Sequence, residues 1–138
     1  MCNNRRHTLD NLNLICQSIS QIEQYTKHIA KANEFLCSPH GRLCLDGCVM
    51  RLQVIGETVR RLFEEQDNPL AGHQRVPWRA IIGLRNIISH QYVDVDEELI
   101  FNIIVYDLPL LKQEMDLIIP EYKGHRPMNS QHDGFDCP

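Results

Sequence analysis

The sequence predicts an all-α protein that folds as an up-and-down bundle of four or five helices. Apolar residues recur at intervals of three and four through long stretches, which is the period of a helix with one buried face. Proline, glycine and asparagine interrupt the chain between these stretches, and no strand-hairpin signal is present. The chain has 138 residues, of which 43% are hydrophobic, so it suits one domain with a substantial core. We expect the helical domain to span residues 1–122 and residues 123–138 to form a flexible polar tail.

The first predicted helix runs from a cap at Thr8 to about Tyr25, because a threonine hydroxyl can accept a bond from the first amides of a helix. The polar residues 1–7 before it are expected to fray. Four aliphatic side chains at helical spacing make its buried stripe: Leu12, Ile15, Ile19 and Ile22. A short helix is predicted next, from Lys27 to Leu36.

A second long helix is predicted from the pair Ser38 and Pro39, which suit the N-cap and first helical positions, to about Glu65. Its apolar residues recur at helical spacing and predict the buried face: Leu45, Val49, Leu52, Ile55, Val59, Leu62 and Phe63. Gly56 lies inside this helix, where glycine costs about 1 kcal/mol relative to alanine. We therefore expect another helix to cross closely at Gly56.

Two further helices complete the predicted bundle. Residues 67–69, Asp-Asn-Pro, break the chain, and Pro77 suits the first position of a central helix. Asp96 can cap the last helix, in which Pro109 should produce a kink and which Pro120 should end. The buried face of that helix is predicted from its aliphatic residues: Leu99, Ile103, Leu108, Leu111, Met115 and Ile118.

The composition argues against some classes of protein. The net charge of −4 gives no global attraction to nucleic acid, so RNA binding would need a local patch such as Arg75, Arg79 and Arg85. No apolar run approaches membrane-spanning length, and the N-terminus lacks the apolar core of a signal peptide. The six cysteines do not resemble a disulfide framework, so we expect a cytoplasmic protein with reduced thiols.

The chemistry is concentrated in the central helix, in the motif Arg85-Asn86-x-x-x-His90-x-Tyr92. Arginine offers fixed charge and forked donors to a phosphate, and histidine can move a proton near neutral pH. On a regular helix, Arg85 and His90 lie about 140° apart, so one helix presents them poorly to one ligand. A bend near His90 or a second copy of the chain would bring them together. The alternative is structural, because a histidine in the last turn also interacts favourably with the helix dipole.

This motif, preceded by I-x-G-L and followed by V-D, resembles the R-x4-H-x-Y signature of HEPN domains. Three further stretches resemble the HepT-like toxins of HepT/MntA toxin–antitoxin systems: Val54 to Leu62, Val76 to Asn86 and Asp107 to Pro109. The resemblance covers roughly residues 8 to 120. It implies a homodimer with the signature at its interface. It also implies that the antitoxin is an MntA-like nucleotidyltransferase, which AMPylates Tyr92 and can join the toxin in a larger complex.

The resemblance also implies an endoribonuclease that needs neither metal nor other cofactor, because the ribose 2′-hydroxyl of RNA attacks the adjacent phosphorus. His90 would act as general base or acid, and Arg85 would stabilise charge on the phosphate. Asn86 would orient His90 or the phosphate, and Tyr92 would line the RNA groove. Non-enzymatic HEPN adaptors provide an alternative, in which the same helix presents Tyr92 to the transferase without cutting RNA.

A second set of potential ligands is Cys37, His40, Cys44 and Cys48, in the pattern C-x2-H-x3-C-x3-C. Four such ligands can hold zinc, although the C-x2-C pairs usual in structural zinc sites are missing. The alternative is that the cysteines act as small core residues.

Two other features leave alternatives open. Glu57 could pair with an arginine of the central helix, such as Arg79 or Arg85, or it could be a solvated helix residue. Arg60 and Arg61 are expected to lie on a solvated face. The single tryptophan, Trp78, is expected to anchor the core rather than stack on a base.

Overall fold

The computed structural model describes the backbone of residues 2–90 and 95–124, and the side chains of residues 5–86 and 95–123. These residues form an all-helical fold, as predicted. The helices are α1 (Cys2–Tyr25), α2 (Pro39–Phe63), α3 (Trp78–His90), α4 (Glu97–Asn102) and α5 (Leu108–Gly124). A 3-10 turn covers Ala32–Phe35, and a π-helical segment, Ile103–Asp107, joins α4 to α5. The predicted domain boundary at residue 122 lies inside α5, and residues 125–138 of the predicted tail lie outside the described residues.

The helices pack in a defined order around one core. Helix α1 packs against both α2 and α5, α3 packs chiefly against α2, and α4 packs against the 3-10 turn and α2. The predicted stripe of α1 is fully confirmed, because all four of its aliphatic residues are buried. Phe63 and Leu99 are the errors among the predicted core residues, with exposed fractions of 38% and 41%. Among the described helices, none is both long enough and apolar enough to span a lipid bilayer.

Helix α1 begins earlier than predicted. It starts at Cys2, so Thr8 lies inside the helix rather than at its cap. The Thr8 side chain is buried, and its hydroxyl donates a hydrogen bond to the carboxylate of Glu65, just beyond α2. That partner removes the cost of burying the hydroxyl. The predicted short helix from Lys27 to Leu36 is reduced to the 3-10 turn.

The predicted caps of α2 and α4 are confirmed. The Ser38 hydroxyl accepts a bond from the Gly41 amide at 2.9 Å. The Asp96 carboxylate accepts bonds from the amides of Glu98 and Leu99 at 3.0 and 3.3 Å. Pro77 stands one position earlier than predicted, because it precedes α3 and its carbonyl accepts the Ile81 amide at 3.0 Å.

The two prolines of the last helix have different outcomes. Pro109 is the second residue of α5, separated by Leu108 from the π-helical segment Ile103–Asp107, so the chain accommodates the missing donor with a widened turn. Pro120 does not end α5, which continues to Gly124. A proline removes one hydrogen bond, to the carbonyl of Asp116, and Asp116 lies at an exposed position where water can replace that bond.

Candidate active site at the crossing of α2 and α3

The crossing of α2 and α3 depends on Gly56, as the sequence predicted. A Cβ atom at Gly56 would lie 2.8 Å from the Ile81 carbonyl oxygen and 3.1 Å from the Arg85 amide nitrogen. Both of these atoms belong to the backbone of α3, so they cannot swing aside as a flexible side chain could. The missing side chain therefore lets the two backbones approach, and the next residue, Glu57, comes within reach of α3.

Glu57 pairs with Arg85. Its Oε1 accepts a hydrogen bond from Arg85 Nη1 at 3.1 Å, and both side chains are about one third exposed, at 32% and 36%. Of the two arginines that the sequence offered as partners, the structure selects Arg85, whereas Arg79 lies exposed on the outer side of α3. The candidate catalytic arginine is thus tied to a second helix.

The second carboxylate oxygen of Glu57 faces Arg60, one turn further along α2. Arg60 donates to Oε2 from Nη2 at 2.6 Å and from Nε at 3.2 Å, and its Nη1 donates to Glu64 Oε2 at 2.5 Å. Arg60 is only 28% exposed, so the expected solvated face is wrong for Arg60, while Arg61 is 56% exposed as expected. The hydrogen bonds from Arg60, followed by those from Arg85, lower the pKa of Glu57 from 4.5 to about 2.

The structure describes only some of the remaining residues of the motif. Asn86 is exposed on α3, and His90 is the last residue of that helix, although its side chain is not described. Tyr92 lies outside the described residues. Helix α3 is helical through His90, so the backbone positions of Arg85 and His90 keep their separation of about 140° around the axis.

The outer side of α3 is open along the described part of the helix. Arg79, Ala80 and Asn86 are exposed there, and a Cβ atom built on Gly83 would meet nothing within 4 Å. Gly83 therefore differs from Gly56, since the described residues give no steric reason for the missing side chain. Helix formation alone disfavours glycine at this position.

Arg75, the other candidate RNA-binding residue, faces α5 instead. Its Nη1 lies 3.6 Å from Glu114 Oε1, although 63% of the side chain is exposed. Glu114 is only 3% exposed, and its Oε2 lies 2.9 Å from His73 Nδ1. His73 Nε2 lies 3.4 Å from Glu121 Oε1. This cluster joins the α2–α3 connection to α5 and has no local signal in the sequence, because its partners are far apart along the chain.

Trp78 anchors the start of α3. Its indole N–H donates to the His73 carbonyl oxygen at 2.6 Å, and its ring packs edge-on against Phe63 with a centroid separation of 6.0 Å. The ring is half-buried against the core. The expected anchoring role is in agreement with this position.

Of the cysteines at the start of α2, Cys44 and Cys48 are buried in the core and Cys37 is exposed. The Cys37 thiol donates to the Asn33 carbonyl at 3.2 Å, while the thiol of Cys44 lies 3.7 Å from His40 Nε2. Burial, and to a smaller extent Cys44, raises the pKa of the Cys48 thiol to about 12. Within the described parts of the chain, no three histidine, cysteine or acidic side chains are grouped to hold a metal ion.

The all-helical fold, with Arg85 and His90 five residues apart on one helix, agrees with the HEPN-like class that the motif predicted. The chain belongs to the ribonuclease HepT-like family, whose family model matches residues 15–118. No solved structure matches the chain with significance.

Relatives of this chain carry ribonuclease names. A protein of Methanocaldococcus jannaschii named "Putative RNase" is 30% identical over 107 residues, which are 75% of this chain and 89% of the relative. A "Probable ribonuclease HepT" of Thermococcus cleftensis is 26% identical over 81% of this chain and 96% of its own length. A "Gamma-glutamylcyclotransferase and putative RNase" of M. jannaschii is 32% identical over 90% of this chain, which spans about half, 52%, of that relative.

Proposed function

We propose that this protein is the toxin of a toxin–antitoxin pair, a cytoplasmic endoribonuclease that needs no metal and uses Arg85 and His90. The observation that carries the proposal is the Arg85 guanidinium held by Glu57 where α2 and α3 cross, on the helix that also carries His90. Membership of the ribonuclease HepT-like family and the ribonuclease names of the relatives support the same reaction class.

The proposed reaction is internal to the RNA strand. The 2′-oxygen of a ribose forms a bond to the adjacent phosphorus, and the bond from phosphorus to the next 5′-oxygen breaks. A base takes the proton of the 2′-hydroxyl and an acid gives one to the 5′-oxygen, which leaves a 2′,3′-cyclic phosphate and a 5′-hydroxyl. Because the nucleophile is already attached to the phosphate, proximity provides much of the acceleration.

Each residue of the motif has a different proposed role in this reaction. His90 takes or gives a proton, and Arg85 stabilises the negative charge that develops on the phosphate oxygens. Asn86, exposed on the same helix, orients the phosphate or His90 by hydrogen bonding. Arg79 is exposed on the outer side of α3 and can bind a neighbouring RNA phosphate, whereas Arg75 can do so only with part of its charge offset by Glu114.

A homodimer built around α3 would complete this site. The two catalytic positions are about 140° apart on one regular helix, so a second copy is the simplest source of the complementary group. The open outer side of α3, with Gly83 at its centre, supports a close approach by a partner. Two copies also supply two histidines, one to take a proton and one to give it. Sedimentation of the active protein as a monomer would contradict this arrangement.

Tyr92 is the proposed switch. An MntA-like nucleotidyltransferase antitoxin would add AMP to its phenol, and the added phosphate charge would compete with RNA for Arg85 while the adenosine blocks the groove. Tyr92→Phe should escape the modification and keep the dimer. Mass spectrometry after incubation with the transferase and ATP measures this, and mass added at another residue would show that Tyr92 is not the switch.

The central test is expression of the wild type beside Arg85→Ala and His90→Ala, with growth followed and the ends of cut RNA mapped. Each variant should remain folded and lose growth arrest and RNA cleavage. Arg42→Ala and His28→Ala are matched controls, because both residues are exposed and neither belongs to the proposed site, and they should behave like the wild type. Folded wild type that accepts AMP on Tyr92 but cuts no RNA would instead identify an adaptor of the transferase.

A further inference from the structure

Glu57 stands beside the proposed catalytic arginine, and a carboxylate in that place can do one of two things. It can accept a proton from the 2′-hydroxyl, as a general base does, or it can hold Arg85 in the orientation that a phosphate needs. The two roles predict different behaviour, and the contacts of Glu57 distinguish them.

The contacts argue against a proton acceptor. Each of the two oxygens of Glu57 already receives hydrogen bonds from a guanidinium, Oε1 from Arg85 and Oε2 from Arg60. These bonds keep the pKa of Glu57 at about 2, well below its ordinary value. An effective general base has a pKa near the working pH, so this carboxylate is a weak base at neutral pH.

The same contacts suit a positioning residue. Glu57 follows Gly56, where the backbone of α3 approaches α2 most closely, so its carboxylate reaches across a fixed crossing between two helices. Arg60 binds the other oxygen and is itself bound by Glu64, which limits the freedom of the Glu57 side chain. A chain of charge-assisted bonds therefore runs from Glu64 through Arg60 and Glu57 to Arg85.

We propose that Glu57 is the positioning residue of Arg85 and that Arg60 holds Glu57 in place for this task, which rests on the ribonuclease function proposed above. The arrangement restricts the long Arg85 side chain before RNA arrives, so less conformational freedom is lost when the guanidinium meets the phosphate. Glu57 keeps Arg60 as a partner when Arg85 turns toward a phosphate, so its charge stays compensated. The effect should appear in the chemical step rather than in the initial binding of RNA.

The experiment compares the full-length wild type with Glu57→Gln, Glu57→Asp and Arg60→Ala in cleavage of a defined RNA oligonucleotide. Glu57→Gln keeps the size of the side chain and removes its charge, so kcat should fall by about tenfold to a hundredfold, the loss typical of a misplaced catalytic group. KM should change by less than about threefold. Arg60→Ala should cause a smaller loss in kcat, and Glu57→Asp should recover part of the activity, because it keeps the charge. Glu98→Gln is the matched control on the exposed first turn of α4 and should retain the wild-type rate.

The pH profile separates positioning from general-base chemistry. If Glu57 only positions Arg85, Glu57→Gln lowers the whole profile and leaves both limbs at the same pH, since His90 carries the proton. Loss of the acidic limb in Glu57→Gln would overturn the proposal and make Glu57 the base. A rise in kcat would also overturn it, because Glu57 would then compete with RNA for Arg85. A kcat within about twofold of the wild type would mean that Arg85 needs no positioning.

A structural readout keeps this test separate from the proposed function itself. In nuclear magnetic resonance spectra of the full-length protein, the Arg85 Nε–Hε signal should shift or broaden in Glu57→Gln and stay unchanged in Glu98→Gln. If the Arg85 signal is unchanged in Glu57→Gln, the positioning role is overturned, even if the protein cuts RNA. Wild type that cuts no RNA, together with the expected change in the Arg85 signal, refutes the ribonuclease function and leaves the Glu57–Arg85 orientation established.

Discussion

Two carboxylates among the described residues each contact more than one cationic or potentially cationic side chain, and they differ chiefly in burial. Glu57 lies between Arg60 and Arg85 at the crossing of α2 and α3, with 32% of its side chain exposed. Glu114 lies between His73 and Arg75, with 3% exposed. The chemistry of the two clusters is similar, but water reaches only one of them freely.

The difference in burial predicts that the two clusters contribute differently to stability. Removing a hydrogen-bonding partner from a buried carboxylate leaves that carboxylate poorly satisfied in the interior and is costly, while an exposed ion pair contributes about 0–1 kcal/mol. Glu114 joins the α2–α3 connection to α5 and so holds the segment from which α3 starts. Glu57 joins two helices that already pack together, so we expect it to contribute little to stability and, under the proposal above, to act by directing Arg85.

The largest expected effect follows from removing a partner of the buried carboxylate. His73→Ala removes the hydrogen bond between His73 Nδ1 and Glu114 Oε2, leaves Arg75 at 3.6 Å from Glu114, and should lower the free energy of unfolding by about 1–3 kcal/mol. Glu57→Gln should lower it by less than about 1 kcal/mol, because its partners are partly solvated. Urea denaturation at pH 7 measures both. If the two variants lose equal stability, burial does not distinguish the two clusters.

Gly56 of α2 and Gly83 of α3 differ in how closely other residues approach them, and alanine substitutions test this difference. Gly56→Ala places a Cβ atom 2.8 Å from the Ile81 carbonyl oxygen and should destabilise the protein by about 1–3 kcal/mol, as overpacking does. It should also displace Arg85, whose amide nitrogen would lie 3.1 Å from the new atom, and lower RNA cleavage.

Gly83→Ala is the matched variant on the outer side of the same helix. The new Cβ atom meets nothing within 4 Å, so the gain in helix propensity should stabilise the monomer by up to about 1 kcal/mol. Thermal unfolding at concentrations low enough to keep the protein monomeric measures this change. Sedimentation at higher concentration then reports whether the added methyl group weakens self-association, as a dimer built on α3 requires. A destabilised Gly83→Ala monomer would contradict the open surface described above.

The smallest expected effect is the pH dependence of the exposed cluster. The pKa of Glu57 is lowered on folding, from 4.5 to about 2, so its contribution to stability is present above pH 4.5 and is lost as the pH falls toward 2. The stability difference between the wild type and Glu57→Gln should therefore be constant near neutral pH and decline below pH 4.5. Urea denaturation of both proteins at several pH values measures this difference, because urea is uncharged and does not screen ion pairs as guanidinium chloride does. If the stability difference grew as the pH fell, the pH dependence would have the opposite sign, and the lowered pKa of Glu57 could not be its cause.

Local sequence signals predicted much of the fold. The caps at Ser38 and Asp96 act within three residues of the helices they start, so they could be identified without the tertiary structure. The aliphatic stripe of α1 follows from helical spacing alone. Gly56 predicted a close crossing because glycine inside a helix needs a compensating reason. The motif predicted the chemistry of Arg85 and His90, and the roles of these residues stay predictions.

Thus the sequence by itself determined the helical class, two of the helix starts and the helix that carries the Arg85–His90 motif, because periodicity, capping and glycine act over a few neighbouring residues. The tertiary structure alone decided that Glu57 meets Arg85 rather than Arg79, that Thr8 lies buried against Glu65 and that His73 meets Glu114. These contacts join residues 28, 57 and 41 positions apart. Which of several suitable partners meet over such distances depends on how the helices pack, and no local pattern of residues encodes that choice.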